Sequence, residues 1–342
     1  MIFSLFQKIM GNGTSDGNSG PSLDTMLQSM DKHLENFDEL VLPLPESKPR
    51  THFDSNIPME ERSTSQLTFK QMLQLLPDAI PLIRGMNRSA KMYDGKFKPK
   101  KSQASPKFIA QLEALAYAQG AKDIAYVKVP RNAIFQDKGI PHEYAVVFTV
   151  EMDKDNMETS PSFDSFHEVL NGYKNLATIS NKLANFMQGE GFAAYPGTAL
   201  GGLTDYPHLA ELAGLGALGY HGLLITPGEG ARLRINTIYT NIENLPIREE
   251  NEHLWVRDFC AMCKKCVRKC PVGAIYEEPK ARGDGGMQAI EHDSCRDYFA
   301  ANHGCAVCLA VCPFSHTGYD KVQARFKGNP NAPQFYIPVY TP

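Results

Sequence analysis

The stretch that most limits what this chain can fold into runs from Asp258 to His316, because all eight cysteines of the protein lie inside it. It opens with Cys260, Cys263, Cys266, Cys270 and Pro271, a C-x2-C-x2-C-x3-C-P run. A second set follows at Cys295, Cys305, Cys308 and Cys312, closed by Pro313. The first run has the spacing that holds a [4Fe–4S] cluster, with its fourth cysteine reaching to a different cluster. The second repeats the C-x2-C-x3-C-P ending with its first cysteine moved upstream. Two cubane clusters held by crossed ligation are therefore expected, Cys260, Cys263, Cys266 and Cys312 on one and Cys270, Cys295, Cys305 and Cys308 on the other. The short spacings let successive thiolates converge on one cube, and each proline turns the chain away after the last ligand. Zinc is the rival, since paired C-x2-C units also build structural zinc sites, but two complete C-x2-C-x3-C-P endings fit it poorly. Disulfides fit worse, because no secretory signal is read ahead of the cysteines.

With 342 residues, 42% hydrophobic and 21% charged, the chain has the make-up of a soluble protein with a large core. A net charge of −3 gives no basic footprint for nucleic acid. No apolar run approaches the length of a transmembrane helix. Met1–Met10 is apolar but short, without a basic n-region or twin arginine, and reads as a frayed terminus ahead of weak amphipathic anchoring. A cytoplasmic location is expected, where oxygen-sensitive clusters are safer. Lys96 to Lys107 carries five lysines and no acid, which reads as a solvated loop ahead of a docking face for an acidic electron donor.

Helices alternate with strands, so the class is α/β (α+β). Residues 1–24 read as a disordered N-terminus, 25–104 as an N-terminal extension, 105–250 as the core, 251–320 as the two-cluster domain and 321–342 as a tail. In the extension, short helices are expected at Gln66–Leu76 and Ala79–Met86, parted by proline. In the core, Phe108–Gln119 is a helix and Asp123–Val129 a strand. Glu143–Met152 is nearly all apolar and is expected as a central strand covered on both faces. Phe163–Gln188 has the stripe of one long amphipathic helix, stopped by Gly189 and Gly191. A helix at His208–Ala213, with Asp205 as its cap, leads into Gly214-Leu215-Gly216-Ala217-Leu218-Gly219. Strands at Gly222–Thr226 and Ala231–Thr240 complete the core.

The segment from His208 to Ile247, followed by FCAMCKKCVRKCPVGAI and CAVCLAVCPFSH, resembles the corrinoid-dependent reductive dehalogenases. It resembles their relatives, the epoxyqueuosine reductases of tRNA queuosine synthesis, more loosely. The resemblance covers roughly Ser105 to Tyr319. It implies a nitroreductase-like core that binds a base-off corrinoid and a C-terminal ferredoxin-like domain whose two clusters pass electrons to cobalt. The D-x-H-x-x-G signature of proteins that ligate cobalt through histidine is absent, as in that family. The implied partners are a small, reducible organic molecule such as an organohalide, and a low-potential donor of ferredoxin or flavodoxin type. By likeness of position, Tyr173 is the proton donor and Arg234 or Arg232 the cation behind it; such a cation favours phenolate and eases proton delivery. Tyr173 also reads as one rung of an apolar stripe.

Gly214, Gly216, Gly219 and Gly222 would let backbone approach a flat macrocycle, or simply make tight turns. Tyr206, His208 and His221 flank them as further candidates for corrinoid contact, and Trp255 either lines a pocket or packs. The chain departs from its relatives at Thr198-Ala199-Leu200-Gly201-Gly202: no amide or acid stands near Ala199, with Asp205 the only substitute nearby. That departure argues against epoxyqueuosine reduction. The third reading is a non-enzymatic electron carrier whose core docks a partner.

Overall fold

The computed structural model describes residues 32–50, 57, 61–283 and 286–327. The expected disordered terminus 1–24 and residues 328–342 of the expected tail lie outside the described residues. In chain order the core comprises α1 (Phe69–Met92), α2 (Pro106–Ala118), β1 (Asp123–Lys128), β2 (Tyr144–Glu151), α3 (Lys154–Glu158), α4 (Phe163–Gly189), β3 (Ala194–Pro196), α5 (Tyr206–Leu212), β4 (Ala217–Leu218), β5 (Leu224–Ile225) and β6 (Leu233–Thr240). The cysteine module follows as α6 (Trp255–Cys263), α7 (Lys265–Lys269), β7 (Ile275–Ala281), β8 (Met287–Ile290), α8 (His292–Ala301), α9 (Val307–Ala310), α10 (Pro313–His316) and α11 (Tyr319–Lys327).

The apolar run of β2 is explained by its place in a sheet of order β1-β2-β6-β3. Pairing is antiparallel throughout, with Val146 opposite both Tyr126 and Ile238. Because side chains alternate across a strand, Val146, Phe148 and Val150 enter one core with Tyr126, Leu112, Leu176 and Leu183. Ala145 and Val147 enter the other with Val127, Leu209, Ala213 and Tyr239. Both faces are thus dry, and β2 has no polar side to show.

Helix α4 starts at a capping box in which Ser162 and Ser165 exchange side-chain and backbone hydrogen bonds. It lays Leu176, Ile179, Leu183 and Met187 on the sheet. On its other side lies α1, which corrects one expectation: the segment holds a single helix from Phe69 to Met92, not two pieces, with Pro77 and Pro81 inside it. Leu75, Leu82 and Met86 are buried there. Each such side chain contributes about 1.5–3 kcal/mol, together of the same size as the cost of the two interior prolines at roughly 3 kcal/mol each. The close approach is possible because Gly85 faces the Ala177 methyl, which a Cβ at Gly85 would meet at 2.8 Å. Polar groups fix the same contact: Asp78 bridges His167 Nε2 and Lys174 Nζ, each at 2.7 Å, and Asn181 Nδ2 donates to the Gly85 carbonyl at 2.9 Å. The segment before Ser105 therefore belongs to the packing of the core. Strand β3, three residues ending in proline, was not expected; it pairs with β6 through Ala194 and Tyr195.

Asp205 stands at the N-cap of α5, but its side chain makes no capping hydrogen bond. The carboxylate instead pairs with Lys48 at 2.5 Å and Arg282 at 3.6 Å, tying the preceding segment and β7's end to the core. Burial pushes that carboxyl up, yet Lys48 above all outweighs it and holds it below the ordinary carboxylate range.

Candidate cluster site and active face

Cys260 and Cys263 sit one turn apart on α6. The helix stops at Lys264, held left-handed at φ 45°, and α7 restarts at once to present Cys266. Cys312, at the N-terminal end of α10, arrives from 46 residues further along the sequence and completes the wall of a small hollow with Phe259, Phe314 and His221. The second set gathers around Cys270, just after α7, with Cys295 on α8 and Cys305 and Cys308 about α9. The charge neighbours follow this division in part: Cys312 feels Cys266 and Cys263, and Cys295 and Cys305 both feel Cys270, whereas Cys308 feels Cys266 as well as Cys295 and Cys305, and Cys266 feels Cys270 as well as Cys263.

Burial pushes the thiols up, Cys266 and Cys295 to about 11 and Cys312 to about 12, with neighbouring cysteines adding to the rise. So many thiolates cannot share a buried space unless a cationic centre stands among them, and metal coordination deprotonates thiols outright. Backbone N–H groups already point at the sulfurs: Tyr220 at Cys260, Phe314 and Ser315 at Cys312, and Ala274 at Cys270 with N···S 3.3 Å. Among the described residues, no three His, Cys, Asp or Glu side chains close on the point a single ion would occupy. The thiols of Cys260, Cys263, Cys266 and Cys312 line one hollow.

Tyr173 lies half-buried where the sheet core meets the apolar cluster that holds Cys260, Cys308 and Cys312. The Arg234 guanidinium lies over its ring, 4.7 Å from the centroid, a cation–π contact. Arg234 Nε is buried without a hydrogen-bond partner. Gly172 makes this stacking possible, since a Cβ there would come within 3.1 Å of Arg234 Cγ. Arg232, the other expected cation, is not brought to Tyr173. It is buried against Glu151 (3.1 Å), the Met152 carbonyl (2.8 Å) and the Ser315 carbonyl (3.2 Å), clasping module to core.

The residues expected to cradle a corrinoid do not gather at one cavity. Tyr206 is buried in the core, its hydroxyl donating to the Thr198 carbonyl at 3.3 Å. A Cβ at Gly202 would strike the Tyr206 ring at 2.2 Å, so that loop closes on the tyrosine. His208 is half-buried on α5, and burial pushes its pKa down although Asp205 pulls it up. The glycines serve chain-to-chain contact: at Gly216 a Cβ would lie 2.1 Å from the Ile225 carbonyl oxygen, and Gly214 and Gly222 abut Arg248 and Ala289. His221 is displaced furthest from its expected role, to the wall of the cysteine cavity, and burial pushes its pKa down to about 4. Trp255 packs, stacked on Phe326 and donating to the Tyr319 hydroxyl at 3.0 Å. Asn236, which sequence reasoning passed over, is a fully buried amide whose Nδ2 donates to the Gly197 carbonyl at 3.3 Å; in a strand that also carries Arg234, Thr237 and Thr240 nothing singled it out.

An α/β core followed by a module with eight cysteines in two sequence sets is the architecture of an iron–sulfur redox protein. Residues 253–276 match the 4Fe-4S binding domain family. The chain is 35% identical over 190 residues to the tetrachloroethene reductive dehalogenase of Dehalobacter restrictus, covering 52% of this chain and 34% of that protein. It is 30% identical over 182 residues to the enzyme of the same name from Sulfurospirillum multivorans, covering 51% and 36%. An epoxyqueuosine reductase of Francisella cf. novicida is 29% identical over 121 residues, covering 32% and 31%. Among solved structures, a catabolic reductive dehalogenase superposes with TM-score 0.63 at 20% identity, covering 73% of this chain and 39% of that one. Another, of a B12-dependent dehalogenation, gives 0.62 at 18%, covering 87% and 43%. The chain is a homologue of the reductive dehalogenases and shares their fold. It spans about a third of the length of the curated relatives it matches. Among the described residues no helix is long and apolar enough to cross a membrane.

Proposed function

We propose that this chain is a reductive dehalogenase-type oxidoreductase. In this reading Cys260, Cys263, Cys266 and Cys312 hold one [4Fe–4S] cluster, and Cys270, Cys295, Cys305 and Cys308 the other. The observation that carries it is that Cys260 and Cys312 of one thiol set and Cys308 of the other share an apolar cluster with Tyr173, over whose ring the Arg234 guanidinium stacks. Reductive cleavage of a carbon–halogen bond consumes two electrons and one proton and releases halide. The clusters supply electrons one at a time, from a low-potential donor. A corrinoid, carried to this chain from its likeness to a protein of B12-dependent dehalogenation, supplies the bond-breaking chemistry when bound. The closed glycine segment does not fit such a macrocycle, so no residue of that segment is given a share in holding it.

The chain's own groups provide the proton and its control. Tyr173 Oη holds the proton that reaches the product carbon. Arg234 favours the phenolate left behind, the cation lowering the cost of that charge. Its unpartnered Nε leaves it one donor for substrate or cofactor. Epoxyqueuosine reduction is disfavoured by the same geometry. Ala199 is packed in the core, and Asp205, the one nearby acid, is bound up by Lys48 and Arg282.

The test is iron, sulfide and cobalt content after anaerobic reconstitution with and without a corrinoid, then halide release from chlorinated ethenes and brominated hydroxybenzoates with a reduced viologen as donor. Two clusters amount to about eight irons, and one retained cobalt is expected. Tyr173→Phe should abolish halide release at unchanged metal content. Full iron with no retained cobalt and no halide release would leave an electron carrier and return Tyr173 to the core.

A further inference from the structure

His221 reaches the cysteine cavity on the tip of a hairpin that belongs to the core. Strands β4 and β5 pair Ala217 with Ile225 and Leu218 with Leu224. The turn between them is closed by Gly219 N–H to the Leu223 carbonyl at 3.0 Å and Gly222 N–H to the Gly219 carbonyl at 2.9 Å. Gly219 leaves room for the imidazole: a Cβ there would sit 3.0 Å from His221 Cε1. The same tip directs the Tyr220 N–H at the Cys260 sulfur.

The ring's tautomer follows from one hydrogen bond. The Leu223 N–H donates to His221 Nδ1 at 3.1 Å, so Nδ1 is the acceptor and the proton of the neutral ring is on Nε2. Yet Nε2 is buried with no partner, on a side chain only 4% exposed. An unanswered buried N–H costs about 1–3 kcal/mol, and here it borders the space enclosed by Cys260, Cys263, Cys266 and Cys312. Sulfur is the acceptor chemistry those walls provide.

We propose that His221 is a tuning residue whose Nε2–H hydrogen-bonds a sulfur of the [4Fe–4S] cluster held by Cys260, Cys263, Cys266 and Cys312. The inference rests on the cluster reading of those cysteines. A donor to sulfur stabilises the more negative, reduced cluster and so raises its reduction potential. This gives the Cys260 cluster a hydrogen bond from a hairpin of the core, making the two clusters unequal.

The experiment is an EPR-monitored redox titration of the reconstituted full chain, in a Cys270→Ser background where the first cluster alone is expected. His221→Phe should lower the ratio of reduced to oxidised cluster about tenfold at the parent midpoint, as loss of one hydrogen bond of about 1.4 kcal/mol implies; that is a downward shift of about 59 mV for a one-electron couple. An unchanged midpoint overturns the inference. If His221→Phe fails to hold the cluster, ENDOR of the wild-type cluster labelled with 15N-histidine decides: a weak nitrogen coupling is expected, and its absence, or a strong coupling from direct ligation, overturns it. Iron and sulfide analysis of the parent keeps the two failures apart. A parent without iron sinks the cluster reading, whereas a fully loaded parent with an unshifted midpoint sinks the role of His221 alone.

Discussion

The sheet core and the cysteine module are held together on opposite terms. Phe148, Leu112 and Leu183 have no exposed surface, and each face of the sheet is sealed by helices or loops. In the module, α8 buries no residue at all, and β7 exposes four of its seven. Much of the module's apolar contact is made outward: Phe314 and Leu309 pack with Met152, Val169 and Ile225 of the core. The core is stable through its own interior. A region with so little interior takes its order from what its thiols bind.

The largest expected effect tests that contrast directly. Anaerobic removal of iron should open the module to protease within 270–300 while the core stays protected, since segments with few buried contacts are the first to open. The chain's single tryptophan reports it, because Trp255 is packed on Phe326 and Tyr319: its emission should shift to the red on iron loss. Unchanged emission and protection in the iron-free chain would break the comparison. Within the module, Cys270→Ser should remove about half of the iron and spare the cluster that includes Cys312, as crossed ligation requires. Loss of all iron, or loss from the Cys260 set alone, would contradict the assignment.

In the core the expected effect is a packing cost without any metal dependence. Phe148→Ala removes a ring with no exposed surface and should destabilise by about 3–5 kcal/mol, read by denaturant unfolding with iron content unchanged. Gly172→Ala is smaller and sharper. Its Cβ would lie 3.1 Å from Arg234 Cγ and 3.4 Å from Met152 Cγ, so overpacking of roughly 1–3 kcal/mol is expected. The displaced guanidinium should also leave the Tyr173 ring, cutting halide release more than stability. Equal losses in Gly172→Ala and in a conservative core variant would deny the stack a special role.

The two cysteine sets were legible because their information is local: seven of the eight cysteines lie in two closely spaced runs. The alternating dry faces of β2 were legible for the same reason. What escaped reading depended on distant neighbours. Nothing near Pro77 announces that α1 continues through it; the reason is the α4 surface beneath, with Ala177 under Gly85. The glycines of 214–222 signalled close approach correctly, but not to what: Gly216 approaches Ile225 rather than a macrocycle. His221 lies 39 residues before Cys260 in sequence, and only the β4–β5 hairpin puts it in the cysteine cavity. Of the two candidate arginines, strand register chose, placing Arg234 opposite Val150 beneath α4.

The smallest expected effect concerns protons in the core. His142 packs beside Tyr195 with ring centroids 5.7 Å apart, and burial pushes its pKa down to about 4, against about 6.5 for a free histidine. The unfolded chain therefore binds the proton first. The stability tied to the neutral ring is complete above about 6.5 and is lost as pH falls toward 4. His221, also pushed down to about 4, acts with the same sign. The carboxylate of Asp205, held low, loses its contribution only at more acid pH, so this window belongs to the histidines. His142→Phe should flatten the fall in unfolding midpoint between pH 7 and pH 5 by an amount equivalent to about 1 kcal/mol, after allowing for the ring's partial exposure. An unchanged slope in His142→Phe would assign the pH response to the other buried histidines of the core, His221 and His208.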